Sequence, residues 1–225
     1  MKKLTKAIAL AGVMTTGLTA ATFTQAAEPE VGASVSIANM YLWRGQDLGG
    51  GAAVAGDLNV SMGGAYGGIW MSSGDGSLGQ EYDLYVGFGG EVEDFSYDLS
   101  VWSYVYPGDD ATNDEGNTFD LTEVIASVGF MGASFSYYYP VAGDGNDDYK
   151  YMTLGYGIDA YSLTIGMADD PDDFLENGSE GYTHLDLGYA YNDSVSFTLS
   201  KVLDTQEAEI DDDLKIVVSY SLPIE

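Results

Sequence analysis

The sequence predicts an all-β fold, a transmembrane antiparallel up-and-down β-barrel of about 12 strands after a cleaved N-terminal signal peptide. Three observations predict it. Past residue 30 the hydrophobic period is two. Val195-Ser-Phe197-Thr-Leu199-Ser200 and Leu185-Asp-Leu187-Gly-Tyr189-Ala-Tyr191 set large apolar or aromatic residues against small or polar ones, so each strand has one greasy face and one polar face. Connections between these runs alternate short and long, the rhythm of a barrel with tight turns at one rim and long loops at the other. Acidic residues gather in the connections and leave the strands nearly uncharged, as a wall in lipid requires.

The elements follow in order. Lys2, Lys3 and Lys6 form a positive n-region, residues 7–21 are a mostly apolar run, and Thr24-Gln25-Ala26 places small residues at −3 and −1 of a cleavage site, the organisation of a secretory signal. A retained transmembrane helix is the alternative, but the run falls short of the ~20 apolar residues that span a bilayer. Residues 1–26 are therefore read as the signal peptide and 27–225 as one domain. Strands are expected at 31–42, 52–62, 66–73, 81–92, 95–106, 118–130, 132–140, 149–159, 162–168, 180–192, 194–203 and 213–222. Short turns fall at 63–65, 93–94, 131, 160–161 and 193; long connections fall at 43–51, 74–80, 107–117, 141–148, 169–179 and 204–212. No later window approaches ~18 apolar residues, so the chain enters a membrane only as strands.

The chain has 36 acidic and 7 basic residues, a formal net charge of −29. No acid precedes Glu28, so beyond the signal 36 acids face only Arg44, Lys150, Lys201 and Lys215, a balance of −32. That excludes a nucleic-acid binder, which needs a basic face to release phosphate counterions. Absence of Cys excludes a disulfide framework, thiol chemistry and Cys-ligated metal. A single histidine, His184, excludes multi-His metal centres and leaves little room for acid–base catalysis near neutral pH. No cofactor is expected. A soluble β-sandwich or lipocalin-like barrel also alternates, but its outer wall carries charge. Here the polar set is small, as in Ser34, Ser36, Ser134, Ser136, Thr164, Gly166, Ser196 and Thr198. Aromatics toward strand ends (Tyr41, Trp43; Tyr104, Tyr106; Tyr137 to Tyr139; Tyr149, Tyr151; Tyr189, Tyr191) match the girdles of a membrane interface.

Several segments resemble, in order, the blocks of a known family. They are Asn39-Met-Tyr-Leu-Trp-Arg44-Gly45, Tyr66-Gly-Gly-Ile-Trp70-Met-Ser72, Glu81-Tyr-Asp-Leu-Tyr85-Val-Gly87-Phe, Phe95-Ser-Tyr-Asp98-Leu and Tyr104-Val-Tyr-Pro107-Gly108. The family they resemble is TorF, bacterial outer-membrane barrels of porin type without settled substrates. The likeness runs from about Val31 past Tyr156 and more weakly to Val202. It departs at Gln46-Asp47, where family members carry Ser after the Arg-Gly step, and at Thr164, where they often carry His. The resemblance implies a barrel in the bacterial outer membrane, which the signal peptide would reach by the Sec pathway.

With Val35, Ile37, Tyr41 and Trp43 facing lipid, parity turns Arg44, the only arginine, toward the lumen near the rim of the long loops. Parity likewise sends Asp57, Asp83, Asp98, His184 and Asp186 inward, opposite Leu58, Leu84, Leu99 and Leu185. These pore-lining or constriction candidates carry two readings. In one, Arg44 and the acids set a transverse field that selects ions or small polar solutes. In the other, Arg44 is tied to one or two of these acids as a brace, since an unpaired buried guanidinium is too costly. The loop acids Asp109, Asp110, Asp114, Asp144, Asp147 and Asp148 offer the oxygen ligands that Ca²⁺ prefers. Neither loop completes an EF-hand pattern, so a solvated charge run is the default, with diffuse bridging to lipopolysaccharide as another use. An enzyme is not expected: Asp186 shares a face with His184, yet no nucleophile-elbow sequence singles out a Ser.

The function expected is an outer-membrane, porin-like channel for passive diffusion of small polar solutes, preferring cations because inward acids outnumber bases. Its partners would be outer-membrane lipid and lipopolysaccharide, the solutes or cations, and other copies in a homo-oligomer. The rival is a closed or plugged barrel whose lumen is filled by Tyr85, Trp102, Tyr104 and Tyr138. It would act structurally, or at the cell surface through its acidic loops. About 12 strands enclose a bore modest enough for a few rings to block.

Overall fold

The computed structural model describes residues 28–75, 79–107, 121–142, 148–171, 180–205 and 210–224; the expected signal peptide lies outside them. In chain order the strands are β1 (Glu30–Ala38), the short β2 (Leu42–Trp43) and β3 (Gln46–Asp47), β4 (Ala53–Met62), β5 (Ala65–Asp75), β6 (Gly79–Val92) and β7 (Phe95–Val105). There follow β8 (Leu121–Phe130), β9 (Ala133–Ala142), β10 (Lys150–Ile158), β11 (Tyr161–Asp169), β12 (Gly181–Ala190), β13 (Val195–Asp204) and β14 (Lys215–Pro223). All but β2 and β3 close into one antiparallel barrel of 12 strands, each paired to its sequence neighbour, with β14 returning to β1 from Ser34↔Pro223 to Ala38↔Ser219. Closure removes the unpaired sheet edge and satisfies wall backbone groups without water.

The tight rim is built from residues that accept positive φ. Gly63 and Gly64 (φ 58° and 92°) and Met131 and Gly132 (49° and 88°) give two-residue turns with both central residues left-handed, the twist that matches paired strands. Between β12 and β13, Asn192 Oδ1 accepts from the amides of Ser194 (2.9 Å) and Val195 (2.7 Å), a side chain standing in for a backbone turn. Glu30 pairs with Ser61 beside the Gly63 turn, so β1 starts at the tight rim and ends at the rim of long connections.

Alternation sorts the faces. Along β13, Phe197 and Leu199 are exposed while Ser196, Thr198 and Ser200 are buried; Ile216, Val218 and Tyr220 of β14 point out while Val217 and Ser219 point in. Leu58, Val86, Leu99, Leu154 and Leu187 extend the same apolar belt around the ring. A continuous belt of this extent is incompatible with water and fits hydrocarbon. Among the described residues no helix is long and apolar enough to cross a membrane; the crossing is made by strands.

Three expectations are corrected. The first concerns β1, which ends at Ala38 rather than near 42, and Tyr41 and Trp43 face the interior instead of lipid. Asn39 ends it: its amide donates to Val218 O (3.2 Å) and its side chain to Ile216 O (3.0 Å), while its Oδ1 accepts from the Val218 amide (2.6 Å). The side chain takes the last rungs on β14, and the chain turns into the barrel. Second, strand extends into the expected 74–80 connection from both sides, through Asp75 and from Gly79, because β5 and β6 keep pairing past an irregularity between Ser72 and Asp75 to Asp75↔Gly79, a bulge absorbing the misfit. Third, part of the expected girdle is a core. Tyr138, Tyr149 and Tyr151 are buried with Ile125, Ala168, Tyr182, Val202 and Ile210, and Trp43 and Trp102 pack against them. Tyr139, Tyr189 and Tyr191 stay exposed on the outside. At the ends of strands in a narrow barrel, inward rings reach one another and exclude water.

Candidate functional site

The segment after Asn39 forms a hairpin. β2 and β3 pair at Leu42↔Asp47 and Trp43↔Gln46, and Arg44 and Gly45 make the turn with φ of 47° and 86°. A left-handed Arg is uncommon and costs about 1–2 kcal/mol, so contacts elsewhere must hold it. They come from across the barrel. Leu42 packs on Val217 of β14, Gly45 lies against the His184 ring of β12, and the Arg44 guanidinium reaches Glu123 of β8 and the Tyr138 ring of β9. β9 is the sixth strand from β1 in either direction around the ring. The hairpin therefore crosses the lumen from wall to wall.

Arg44 sits in an aromatic cage. Its Nη2 donates to Glu123 Oε2 at 2.6 Å, with both side chains 3% exposed. Its guanidinium carbon lies 4.5 Å from the ring centres of Trp43 and Tyr151, 4.9 Å from Tyr138 and 5.2 Å from Tyr149. Ring faces are electronegative, so each shares the charge that burial has stripped of water. The Tyr104 hydroxyl donates to the same Glu123 oxygen at 2.8 Å.

Other inward groups surround this centre. Glu81 accepts from the hydroxyls of Tyr41 and, at 2.7 Å, Tyr106. Asp83, two residues along β6, is fully buried beside Glu81. His184 Nε2 and the Tyr151 hydroxyl are 2.6 Å apart, and His184 Nδ1 lies 3.1 Å from Asp186 Oδ1. Toward the tight rim, half-buried Asp57 accepts from Tyr85 (2.7 Å) and Asn59 (2.5 Å), and Asp98 from Tyr66 (2.7 Å).

The structure thus turns Arg44, Asp57, Asp83, Asp98, His184 and Asp186 inward, but it does not gather them into one constriction. Asp57 and Asp98 belong to tyrosine pairs nearer the tight rim, and Asp186 orients His184. The expected pairing of Arg44 with one of those acids is corrected: its partner is Glu123. Glu123 and Glu81 were missed, although each shares parity with a residue that marks the inner face, Ser127 for the first and Asp83 for the second. Of the loop acids suggested for Ca²⁺, Asp109, Asp110, Asp114, Asp144 and Asp147 lie outside the described residues; Asp148 is 3.6 Å from Lys150 Nζ. Among the described residues no group of three or more His, Asp or Glu is placed to hold a metal ion.

At the rim of the long connections Lys215 is buried beneath the 211–213 turn, donating to the Asp211 carbonyl at 2.8 Å, with its Nζ 3.4 Å from the Asp211 carboxylate. The Asp213 amide and then Lys215 hold the exposed Asp211 carboxyl below its ordinary value. A carboxyl lowered on folding contributes stability above its unfolded value and loses it as pH falls through the folded one. The Asp213 amide resonance is therefore expected to stay constant above about pH 5 and to shift below about pH 4. A midpoint at or above the unfolded carboxyl value would show that the turn bond does not form.

Residues 23–213 match a family described as a bacterial protein of unknown function, Gcw_chp. No curated protein matches the chain. Among solved structures, one described as "Unveiling the Mechanism Behind the in-meso Crystallization of Membrane Proteins" aligns with a TM-score of 0.52 and 10% identity, covering 87% of this chain and 83% of its own. Outer membrane phospholipase A from Escherichia coli aligns at 0.42 and 12% identity, covering 88% and 93%. The COG4313 outer membrane channel from Pseudomonas putida F1 aligns at 0.40 and 11%, covering 87% and 96%. The first of these likenesses speaks to the fold alone.

Proposed function

The chain belongs to the Gcw_chp family of bacterial proteins of unknown function, and from that premise we propose that it is an outer-membrane channel for small polar solutes, narrowed by a hairpin folded across its lumen. One observation carries this reading: the charge of the lumen. Apart from the fully buried Asp83, the acids Asp57, Glu81, Asp98, Glu123 and Asp186 face inward, against Arg44 and Lys215 as inward bases among the described residues. A low-dielectric wall focuses such an imbalance and draws cations in. The TorF resemblance supports a porin-type role, and a secretory signal supports Sec export to the outer membrane, with lipid and lipopolysaccharide as surroundings. No catalytic part is assigned to His184, which is fully buried together with its ring partners Tyr151 and Asp186.

Conductance in planar bilayers tests the reading. Wild-type protein is expected to show a small conductance with a cation-selective reversal potential. Replacing residues 42–48 by a short Gly-Ser linker is expected to raise the conductance several-fold without reversing selectivity. Silence of both proteins, or anion preference at neutral pH, would overturn the proposal. A second reading, a closed barrel with a structural or surface role, is favoured by the near-complete burial of Arg44, Tyr149, Tyr151 and Tyr182. It predicts a silent wild type and a conducting linker variant.

A further inference from the structure

The Arg44 cage has two halves of different origin. Trp43 and Arg44 belong to the hairpin, whereas Glu123, Tyr138 and Tyr151 belong to β8, β9 and β10, and Tyr149 directly precedes β10. The wall half is a pocket of three ring faces and one carboxylate, and that carboxylate is already oriented by the Tyr104 hydroxyl. Such a set suits a planar, weakly hydrated organic cation, which stacks on rings and bonds a carboxylate with paired N–H groups. It suits a small metal cation poorly, since hard ions require a shell of oxygens.

The group that fills the pocket is well held by its side-chain contacts, but the backbone that presents it is not relaxed. Its hairpin is two residue pairs long, and its backbone at Arg44 is left-handed. A free guanidinium in the same place meets the same rings and Glu123 without that backbone constraint.

We propose that Glu123, Tyr138, Tyr149 and Tyr151 form a binding site for guanidinium-bearing organic cations, occupied at rest by the protein's own Arg44, which an arriving solute displaces. Delivery of the solute rests on the channel reading above; the pocket's chemistry does not. The proposal turns the hairpin from a fixed plug into an internal ligand that competes with the solute.

Methylguanidinium chloride is the probe, with methylammonium chloride as the control of equal charge. In Arg44→Ala protein in detergent, tryptophan fluorescence is expected to titrate saturably with methylguanidinium and not with methylammonium. Affinity is expected to fall by about tenfold or more in Arg44→Ala/Glu123→Gln and in wild type, where Arg44 competes. In bilayers, wild-type protein is expected to pass methylguanidinium in preference to methylammonium, and Glu123→Gln to lose that preference. A linear response in Arg44→Ala, or saturation unaffected by Glu123→Gln, would overturn the site. Should Arg44→Ala fail to fold, the wild-type permeability ratio decides alone, and a ratio at or below one counts against the proposal. Absence of conductance from wild-type and linker proteins defeats the channel reading and leaves the titration to judge the pocket.

Discussion

Glu123→Ala is expected to destabilise the barrel by about 3–5 kcal/mol, the usual loss when one partner of a buried ion pair is removed. Truncation leaves the Arg44 guanidinium, 3% exposed, without its carboxylate, and leaves the Tyr104 hydroxyl without its acceptor. Neither group can reach water by a small movement. Arg44 is walled by Trp43, Tyr138, Tyr149 and Tyr151, and its backbone is fixed by a turn between paired strands. The rings still share part of the charge, by about 0.5–2 kcal/mol each at most, so the loss stays below that of a bare buried ion. Urea unfolding in micelles, followed by tryptophan fluorescence, reads the difference. The paired replacement Arg44→Met/Glu123→Leu removes both charges while keeping volume, and is expected to recover most of the loss. That recovery separates a desolvated charge from mere lost packing. A Glu123→Ala effect below about 1 kcal/mol, the range of exposed pairs, would show that water reaches the site.

How far these features were legible differs by region, for physical reasons. The wall was readable because lipid outside and a small polar interior impose one rule on every strand, and period two reports it directly. The hairpin was not. Tyr41 and Trp43 keep the parity of Val35 and Ile37, and what ends β1 is the Asn39 side chain bonding to β14, 177 residues away in sequence. No local pattern encodes such a contact. The inward tyrosines stand between these cases. Tyr149 and Tyr151 share parity with Thr153 and Gly155, which belong to the small inner set, so their direction was available. Their position near a strand end suggested an interface instead. Tyr138 was legible in two ways, as one of a girdle run with Tyr137 and Tyr139 and as one of the rings expected to fill the lumen, and its burial decides for the second. Glu123 shares parity with Ser127 but has no leucine beside it to mark the outer face, only Thr122 and Val124.

Gly166→Ala is expected to destabilise the barrel by about 2–5 kcal/mol, combining overpacking with the loss of a buried hydrogen bond. A Cβ at residue 166 would lie 2.0 Å from His184 Nε2 and 2.3 Å from the Tyr151 hydroxyl, the two atoms that bond each other across the glycine. Neither ring has room to withdraw. Tyr151 packs edge-on against Tyr138 at 5.2 Å and under Arg44 at 4.5 Å. His184 is tethered by Asp186 and backed by Gly45, where a Cβ would come within 2.6 Å of its Cγ. The imidazole is thus clamped between two glycines, one on the wall and one on the hairpin turn. Gly56→Ala is the control, since the nearest atom to its Cβ would be 3.7 Å away, and its effect is expected to stay below about 1 kcal/mol. The damage should also travel. A displaced His184 presses on Gly45 and loosens the hairpin, so Gly166→Ala barrels that fold are expected to conduct more than wild type. Adding His184→Ala removes the obstructing ring and is expected to restore stability in part, while leaving the hairpin without its support and the conductance high. Equal stability of Gly166→Ala and Gly56→Ala would mean that the His184–Tyr151 contact is loose, and that the hairpin is held without support from His184.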